Sequence, residues 1–292
     1  MSRYISLLWF VLIVSPGFGQ TTLQYNLKKG EVFTIKQEAL QQITQELNGK
    51  THEITNSIEG ILEFRVLEVR DDSYEIAVTF KDLHLYIYSS SEGELLDVDA
   101  SEIPEGDIQS RIFNSMLNVP IRILLDRSGD VLKVSGGDSL VARMANASGV
   151  EDHFTLDVMK ESLERDFGTE ALSNSYEQMT FIYPKVKICV GDSWENEYRG
   201  KISSSNHWTL DGLNGGHTTI HGNATVLMDL QEATASMSLK GRRKTEVSAD
   251  TASGFLLAMK VESYSEGFST IPEMGPESIP TTINSTITYK RI

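Results

Sequence analysis

Apolar and polar residues alternate along most of this chain, and the period is that of a strand. From Thr51 to Val69, Ile54, Ile58, Leu62, Phe64 and Val66 share one face, and Ile76, Val78 and Phe80 repeat the pattern after Asp71-Asp72-Ser73. A sheet packed on one side and wetted on the other requires this alternation. Asn48-Gly49 predicts a tight hairpin between the Thr-, Gln- and Ile-rich stretch ending at Leu47 and the strand that starts at Thr51. Ser128-Gly129-Asp130 predicts a second hairpin, between Ile121–Leu125 and Val131–Val134.

The period changes twice. Ile108, Ile112 and Met116 are spaced for a short amphipathic helix within Pro104–Asn118. From Asp138 to Gln178 the spacing is helical throughout. Asp138 is the expected cap of a first helix. Leu156, Met159, Leu163 and Phe167 stripe a second, and Gly168 ends it. Thr169 is the expected cap of a third, which carries Leu172, Tyr176 and Met179. Such stripes read as core-facing, so these helices form a packing layer on the sheet. Strands resume at Val186. Asn206–Asn223, rich in Gly, Asn and His, reads as turns with short strands. Asn223–Leu230 and Ala233–Leu239, Thr245–Ser248, Phe255–Tyr264 and Thr281–Ile292 follow as strands, with Pro272–Pro280 as a loop.

Three markers recur in order. Gly30-Glu31-Val32-Phe33 resembles Gly191-Asp192-Ser193-Trp194; Gly60 and Gly222 follow 30 and 31 residues later; Ser128-Gly129-Asp130-Val131 resembles Ser253-Gly254-Phe255-Leu256. The expected architecture is therefore mainly β (a β-rich α+β fold), with curved antiparallel sheets in two related halves joined by a short helical segment. Its divisions are a signal peptide at 1–19, an N-terminal β half at 20–135, a helical connecting segment at 136–180 and a C-terminal β half at 181–292.

The amino terminus changes the picture of where such a protein works. Arg3, the ten-residue apolar run Ile5–Val14, Pro16 and Gly17-Phe18-Gly19 have the order of a secretory signal cut after Gly19. A bilayer-spanning helix needs roughly 20 apolar residues. The expectation is export to the periplasm or beyond, with no transmembrane span. The single cysteine, Cys189, lies between Ile188 and Val190 and reads as a small core residue of a strand. With 26 Lys and Arg against 41 Asp and Glu, the formal net charge is −15. That acidity opposes nucleic-acid and anionic-membrane binding.

Pro184–Trp194, Leu27-Lys28-Lys29-Gly30-Glu31, Ser128–Leu132 and Thr251–Leu257 together resemble a family of exported Bacteroidota proteins, a domain of unknown function numbered 6263. The resemblance implies an envelope location and a β-rich fold, and it implies no activity. Many relatives carry a cysteine for lipid attachment after the signal; its absence here argues against such a tether.

Candidate chemistry is sparse. His217 and His221 would lie about 13 Å apart along a strand, too far to share a metal. Asp97 and Asp99, near Ser101 and Glu102, are weak calcium candidates without the full loop pattern. No Gly-x-Ser-x-Gly elbow, phosphate loop or dinucleotide fingerprint occurs. No cofactor and no catalytic residue is assigned. The aromatics Tyr86, Tyr88, Tyr183, Trp194, Tyr198 and Trp208 are the candidate ligand-binding residues, placed to line a groove on a curved sheet; the plainer alternative is that they complete the core. The expected function is a non-enzymatic envelope protein that binds an apolar small molecule, a lipid or a protein partner. The alternatives are a hydrolase of envelope glycans or peptides with an unrecognised carboxylate pair, and a structural or assembly component.

Overall fold

The computed structural model describes residues 19–47, 49–231, 235–272 and 278–292. The signal-peptide segment, apart from Gly19, lies outside the described residues, as does Asn48 of the first hairpin. Strands β1 (Val32–Leu47), β2 (Lys50–Val69), β3 (Ser73–Ser89) and β4 (Gly93–Asp99) precede α1 (Ile108–Asn114), β5 (Pro120–Asp126) and β6 (Val131–Ser135). Helices α2 (Gly137–Ala147), α3 (His153–Phe167) and α4 (Thr169–Thr180) follow. The chain ends with β7 (Ser193–Tyr198), β8 (Ile202–Asn214), β9 (His217–Gln231), β10 (Ser236–Asp250), β11 (Leu256–Thr270) and β12 (Ile279–Arg291).

Among the described residues all twelve strands join one antiparallel sheet, in the order β6-β5-β3-β2-β1-β12-β11-β10-β9-β8-β7, with β4 on β3. The chain starts at the centre, works out to one edge, crosses through α2–α4 to the other edge and works back. The two halves meet at β1 and β12, paired from Ile35↔Arg291 to Gln45↔Thr281. They are halves of one sheet, and one core draws on both.

Edge strands β6 and β7 do not pair with each other. The stretch from α4 to Tyr183 lies between them. Thr180 Oγ1 donates to the Gly129 carbonyl in the β5–β6 turn, and Trp194 Nε1 on β7 donates to the Ile182 carbonyl. Bulges in the β2–β3, β3–β4, β5–β6, β8–β9 and β10–β11 pairings add the local bend a sheet needs to curl this far. The core fills the curl beneath α4. Phe33 stacks on Phe255 with ring centroids 4.0 Å apart, and Phe64 meets Phe255 and Tyr176 edge-on at 5.5 and 6.3 Å.

The repeated markers fold into the same turns. Gly30 and Gly191 take positive φ, 85° and 92°, which only glycine tolerates readily. Glu31 accepts from the Lys28 N–H at 2.7 Å, and Asp192 accepts from the Cys189 N–H at 2.7 Å. Gly30 N–H donates to the Val66 carbonyl and Gly191 N–H to the Leu210 carbonyl, both at 2.8 Å. In the second marker, Asp126 accepts from the Ser128 N–H and hydroxyl, and Asp250 from those of Ser253. The first pair of turns shares its hydrogen bonds, whereas in the second the serine follows its aspartate by two residues at Ser128 and by three at Ser253.

Several local expectations need correction. Asp138 does not cap α2: Gly136 holds that position, and the Asp138 carboxylate instead accepts from the Thr169 hydroxyl at 2.7 Å. Thr169 in turn opens α4 behind a Gly168 cap. The stripe on α3 is half-buried at Leu156, Met159, Leu163 and Phe167, and no residue of that helix is fully buried. No strand runs from Val186: that segment is irregular, forms an isolated bridge between Thr21 and Ile188, and leaves Cys189 half-buried. Asn206–Asn223 is the body of two long strands, β8 and β9, around a tight turn at Gly215-Gly216. Loss of side chains at those glycines marks the turn; the Asn and His residues are the solvated face of strands.

Candidate functional site

Register decides which side chains face into the curl. Ile35 and Phe33 are buried on β1, so Gln37, Ala39, Gln41 and Ile43 face inward as well. Pairing carries this face across the sheet. One complete row reads Ile87, Asn56, Gln41, Ser285, Ser263, Arg243, Ala224, Asn206, Asn196. It is a mostly polar row, flanked on the same face by apolar residues and by further polar ones such as Gln37, Thr245 and Ser265. Asn56 donates to Gln41 at 2.9 Å, Asn206 donates to Asn196 at 3.0 Å, and Asn196 donates to the Phe181 carbonyl at 2.6 Å. Arg243 is the row's one charged side chain.

Between this inward face and the helices lies a cavity of about 1040 Å³. Ala39, Ile58, Ile287 and Tyr289 supply its floor from the sheet, with Val134 and Ile202 beside them; α3 and α4 supply the roof. The charged members of the lining, Asp138, Glu161, Glu164, Arg165, Glu170 and Lys201, come from the helices and the start of β8 rather than from the sheet floor. Past the polar row the inward face turns apolar again at Val226, Leu239 and Ile283, each buried.

Tyr289 lines the cavity, and Tyr176, Tyr183 and Tyr198 are buried in the core. Burial pushes Tyr176 and Tyr198 well above the usual tyrosine range, and pushes Tyr289 up to about 12, against the pull of Arg243. Tyr183 rises for the same reason, with Asp250 adding to it. Burial lowers the Arg243 guanidinium, while Tyr198 and Tyr289 oppose that shift. The Arg243 Nε and the Tyr176 hydroxyl are both covered and have no hydrogen-bond partner.

The six aromatics singled out from sequence do not form one site. Trp208 is 1% exposed and lies on Gly222, where an added Cβ would come within 2.6 Å of the indole. Its Nε1 donates to Asn196 Oδ1 at 2.9 Å. Tyr198 donates to the Phe181 carbonyl and Tyr183 to the Gly254 carbonyl. Trp194 and Tyr183 also border a separate cleft of about 680 Å³ beside Glu177 and Lys185; burial, then Asp130, raises the Glu177 carboxyl. Tyr86 and Tyr88 sit on the other face of β3, half-buried and exposed, opposite Asp97 and Glu94 of β4. Asp97 pairs with His84 at 2.8 Å, and Asp99 accepts from Ser101. His221 pairs with Asp211 at 2.7 Å. Among the described residues no group of three or more His, Cys, Asp or Glu is arranged to hold a metal.

The residues that sequence reading missed are Arg243, Tyr176, Tyr289 and the polar row. Arg243 is hidden in the run Lys240-Gly241-Arg242-Arg243-Lys244, which looks wholly solvated. Its signal was phase: it falls on the same alternate positions as Leu239, Thr245 and Val247.

These features define a class: a curled, unclosed antiparallel sheet whose concave face is roofed by helices over a cavity. The chain belongs to the family of unknown function DUF6263, whose model matches residues 71–256. No curated protein matches it. Among solved structures it is similar in fold to lipovitellin, from a study of lipid–protein interactions in that protein, with TM-score 0.53 and 9% identity over 91% of this chain. The chain spans only 25% of that protein's length. Two further matches have low scores: an outer membrane channel from Pseudomonas putida F1 (TM-score 0.26, 7% identity, 96% of this chain and 100% of that one) and DynF from Micromonospora chersina (0.25, 4%, 98% and 92%).

Proposed function

We propose that this protein is an exported, non-catalytic carrier that holds one long-chain amphiphile in the cavity beneath α3 and α4. The observation that carries this reading is the cavity itself. Its volume suits a single small ligand, and its sheet floor sets the apolar side chains Ala39, Ile58, Ile287 and Tyr289 among Gln37, Gln41, Asn56 and Ser285. Desolvating such a surface by an acyl chain stabilises a complex by roughly 25 cal/mol per Å² of apolar area covered. The likeness to lipovitellin supports the reading at the level of fold. Export is supported by the apolar run near the amino terminus, and no described helix is long and apolar enough to cross a membrane.

The acids at the rim, Glu161, Glu164 and Glu170, give the hydrolase reading its one support. They are spread along two helices, and the sheet floor opposite them carries amides, a serine and a phenol rather than a second carboxylate. Native mass spectrometry of protein purified from its own host, followed by denaturing extraction, tests the carrier reading. A one-to-one acyl-chain adduct is expected. A clean apo mass, with no uptake of added decanoate or decanol, would overturn it.

A further inference from the structure

Charge is unevenly placed on the cavity's lining. Its charged residues, Asp138, Glu161, Glu164, Arg165, Glu170 and Lys201, are all exposed, so they stand at the rim. Acids outnumber cations there, and neither cation is spare. Arg165 donates to the Ser162 hydroxyl at 3.1 Å, and Lys201 has a partner of its own. Deeper in, where the lining is half-buried, every polar side chain is neutral.

Register supplies those neutral groups. Asn56, Gln41 and Ser285 are neighbours in one row across β2, β1 and β12, and Ile58, Ala39 and Ile287 are neighbours in the next. Rows on one face are two residues apart along a strand, about 7 Å. Beyond the apolar row Gln37 pairs with Tyr289. The roof repeats the chemistry: Asn174 and Gln178, one turn apart on α4, also line the cavity. Asn56 Nδ2 donates to Gln41 Oε1 at 2.9 Å, a bond that uses neither the Gln41 amide N–H groups nor the Asn56 carbonyl oxygen.

A chain resting on the apolar row brings its polar head within reach of the amide row. A carboxylate head would lose water there without gaining a cation, which is costly. A hydroxyl both donates and accepts, and amides offer both roles in return. We infer that the cavity selects a neutral amphiphile whose head carries hydroxyls on adjacent carbons, a glyceride or a glycolipid, and that Gln41, Asn56 and Ser285 contact this head. The acid excess at the rim works in the same direction, because it repels anions at the entrance. This assignment rests on the carrier reading and goes beyond it by naming the headgroup and the residues that select it.

The test compares 1-monodecanoylglycerol, decanol and decanoate in displacing the uncharged probe N-phenyl-1-naphthylamine from the purified protein at neutral pH. Monodecanoylglycerol should displace the probe at roughly one-tenth the decanoate concentration or less, with decanol between them. Gln41→Leu combined with Asn56→Leu should bring monodecanoylglycerol level with decanol and leave decanol as it was. Ser285→Ala, a smaller change, should weaken the glyceride preference by a smaller factor. Circular dichroism and bound probe confirm that each variant is folded. Decyl glucoside, run alongside, separates the two sources: the tighter of the two neutral heads names the class, and either supports the site. Decanoate that displaces as well as both neutral heads would overturn the assignment and leave the carrier reading standing. So would a glyceride preference that survives the double substitution. Failure of the wild type to bind the probe or any of the four amphiphiles would overturn both.

Discussion

The two ends of the inward face carry the same alternating pattern and end in different states. Beneath α4, Ile35, Leu62, Phe64 and Ile76 are at most 3% exposed. Only a few residues further along the same strands, Ala39, Ile43, Ile54, Ile58 and Ile287 are half-buried, although their register and chemistry are equivalent. The difference lies in what covers them. Phe255, Tyr176 and the amino-terminal segment with Leu23, Tyr25 and Leu27 fill the curl at the first end. At the second end the polar row and the cavity intervene. Alternation therefore specifies a face, and the elements brought from elsewhere in the chain decide whether that face becomes core or binding surface.

The largest effect should separate the two ends directly. Phe64→Ala, in the filled end, should cost about 3–5 kcal/mol, the usual range for removing a buried aromatic. Ile58→Ala, on the cavity floor, should cost about 1 kcal/mol, because its side chain has the cavity rather than close-packed neighbours on one side. Urea denaturation followed by tryptophan fluorescence and circular dichroism measures both. Equal losses would mean that the cavity floor is packed and the contrast between the ends is false.

A second pair of substitutions sharpens the comparison within the repeated turns. Gly254 has φ 69°, and a Cβ there would lie 2.3 Å from the Gln24 carbonyl oxygen, so the backbone must move. Gly254→Ala should cost roughly 2–3 kcal/mol. Gly30 has φ 85° in open space, and Gly30→Ala should cost only about 1 kcal/mol, the penalty of the left-handed conformation alone. The midpoint of chemical unfolding reports both.

The Asp250 turn adds a smaller effect with a sign in pH. The Ser253 hydroxyl, outweighing partial burial, and then the Ser253 N–H hold the Asp250 carboxyl below the usual range. A carboxyl depressed in the folded state stabilises fully above its unfolded value near 4, and that contribution disappears as pH falls through the lower folded value. Asp250→Asn should therefore lose about 1 kcal/mol at neutral pH, with the gap from wild type closing below about pH 4. Thermal unfolding from pH 7 down to pH 3 measures it; a gap independent of pH would mean the turn does not depend on the charge.

How far the sequence reached follows the same division. Long strands with strict alternation, such as β2, and hairpins with Gly-containing turns were legible, as was the recurrence of Gly30-Glu31 in Gly191-Asp192. Local periodicity carries that information. Pairing of β1 with β12 was not legible, because strands more than two hundred residues apart leave no local signal of their register. The helix caps failed for a related reason: Asp138 is a good cap by type, but its carboxylate was taken by Thr169 from another helix. The candidate aromatics Trp208, Trp194, Tyr198 and Tyr183, chosen as the lining of a groove, are buried, and each is held by a hydrogen bond to backbone or amide, which marks packing. Tyr86 and Tyr88 fell on the opposite face. Arg243 went unread because a charge inside a run of charges looks solvated until a continuous β10 fixes its phase.

The smallest effect on stability should come from Arg243, the one charged side chain of the polar row. Were Arg243 a structural element, Arg243→Met should destabilise the protein by several kcal/mol, as breaking a buried ion pair does. It makes no such pair, its Nε is covered and unbonded, and burial works against its charge. Replacing it with an apolar side chain of similar length removes a desolvated charge and fills the same space. Arg243→Met should thus change the unfolding free energy by less than about 1 kcal/mol, in the stabilising direction, as urea denaturation measures. A loss of several kcal/mol would instead place Arg243 among the residues that hold the sheet together.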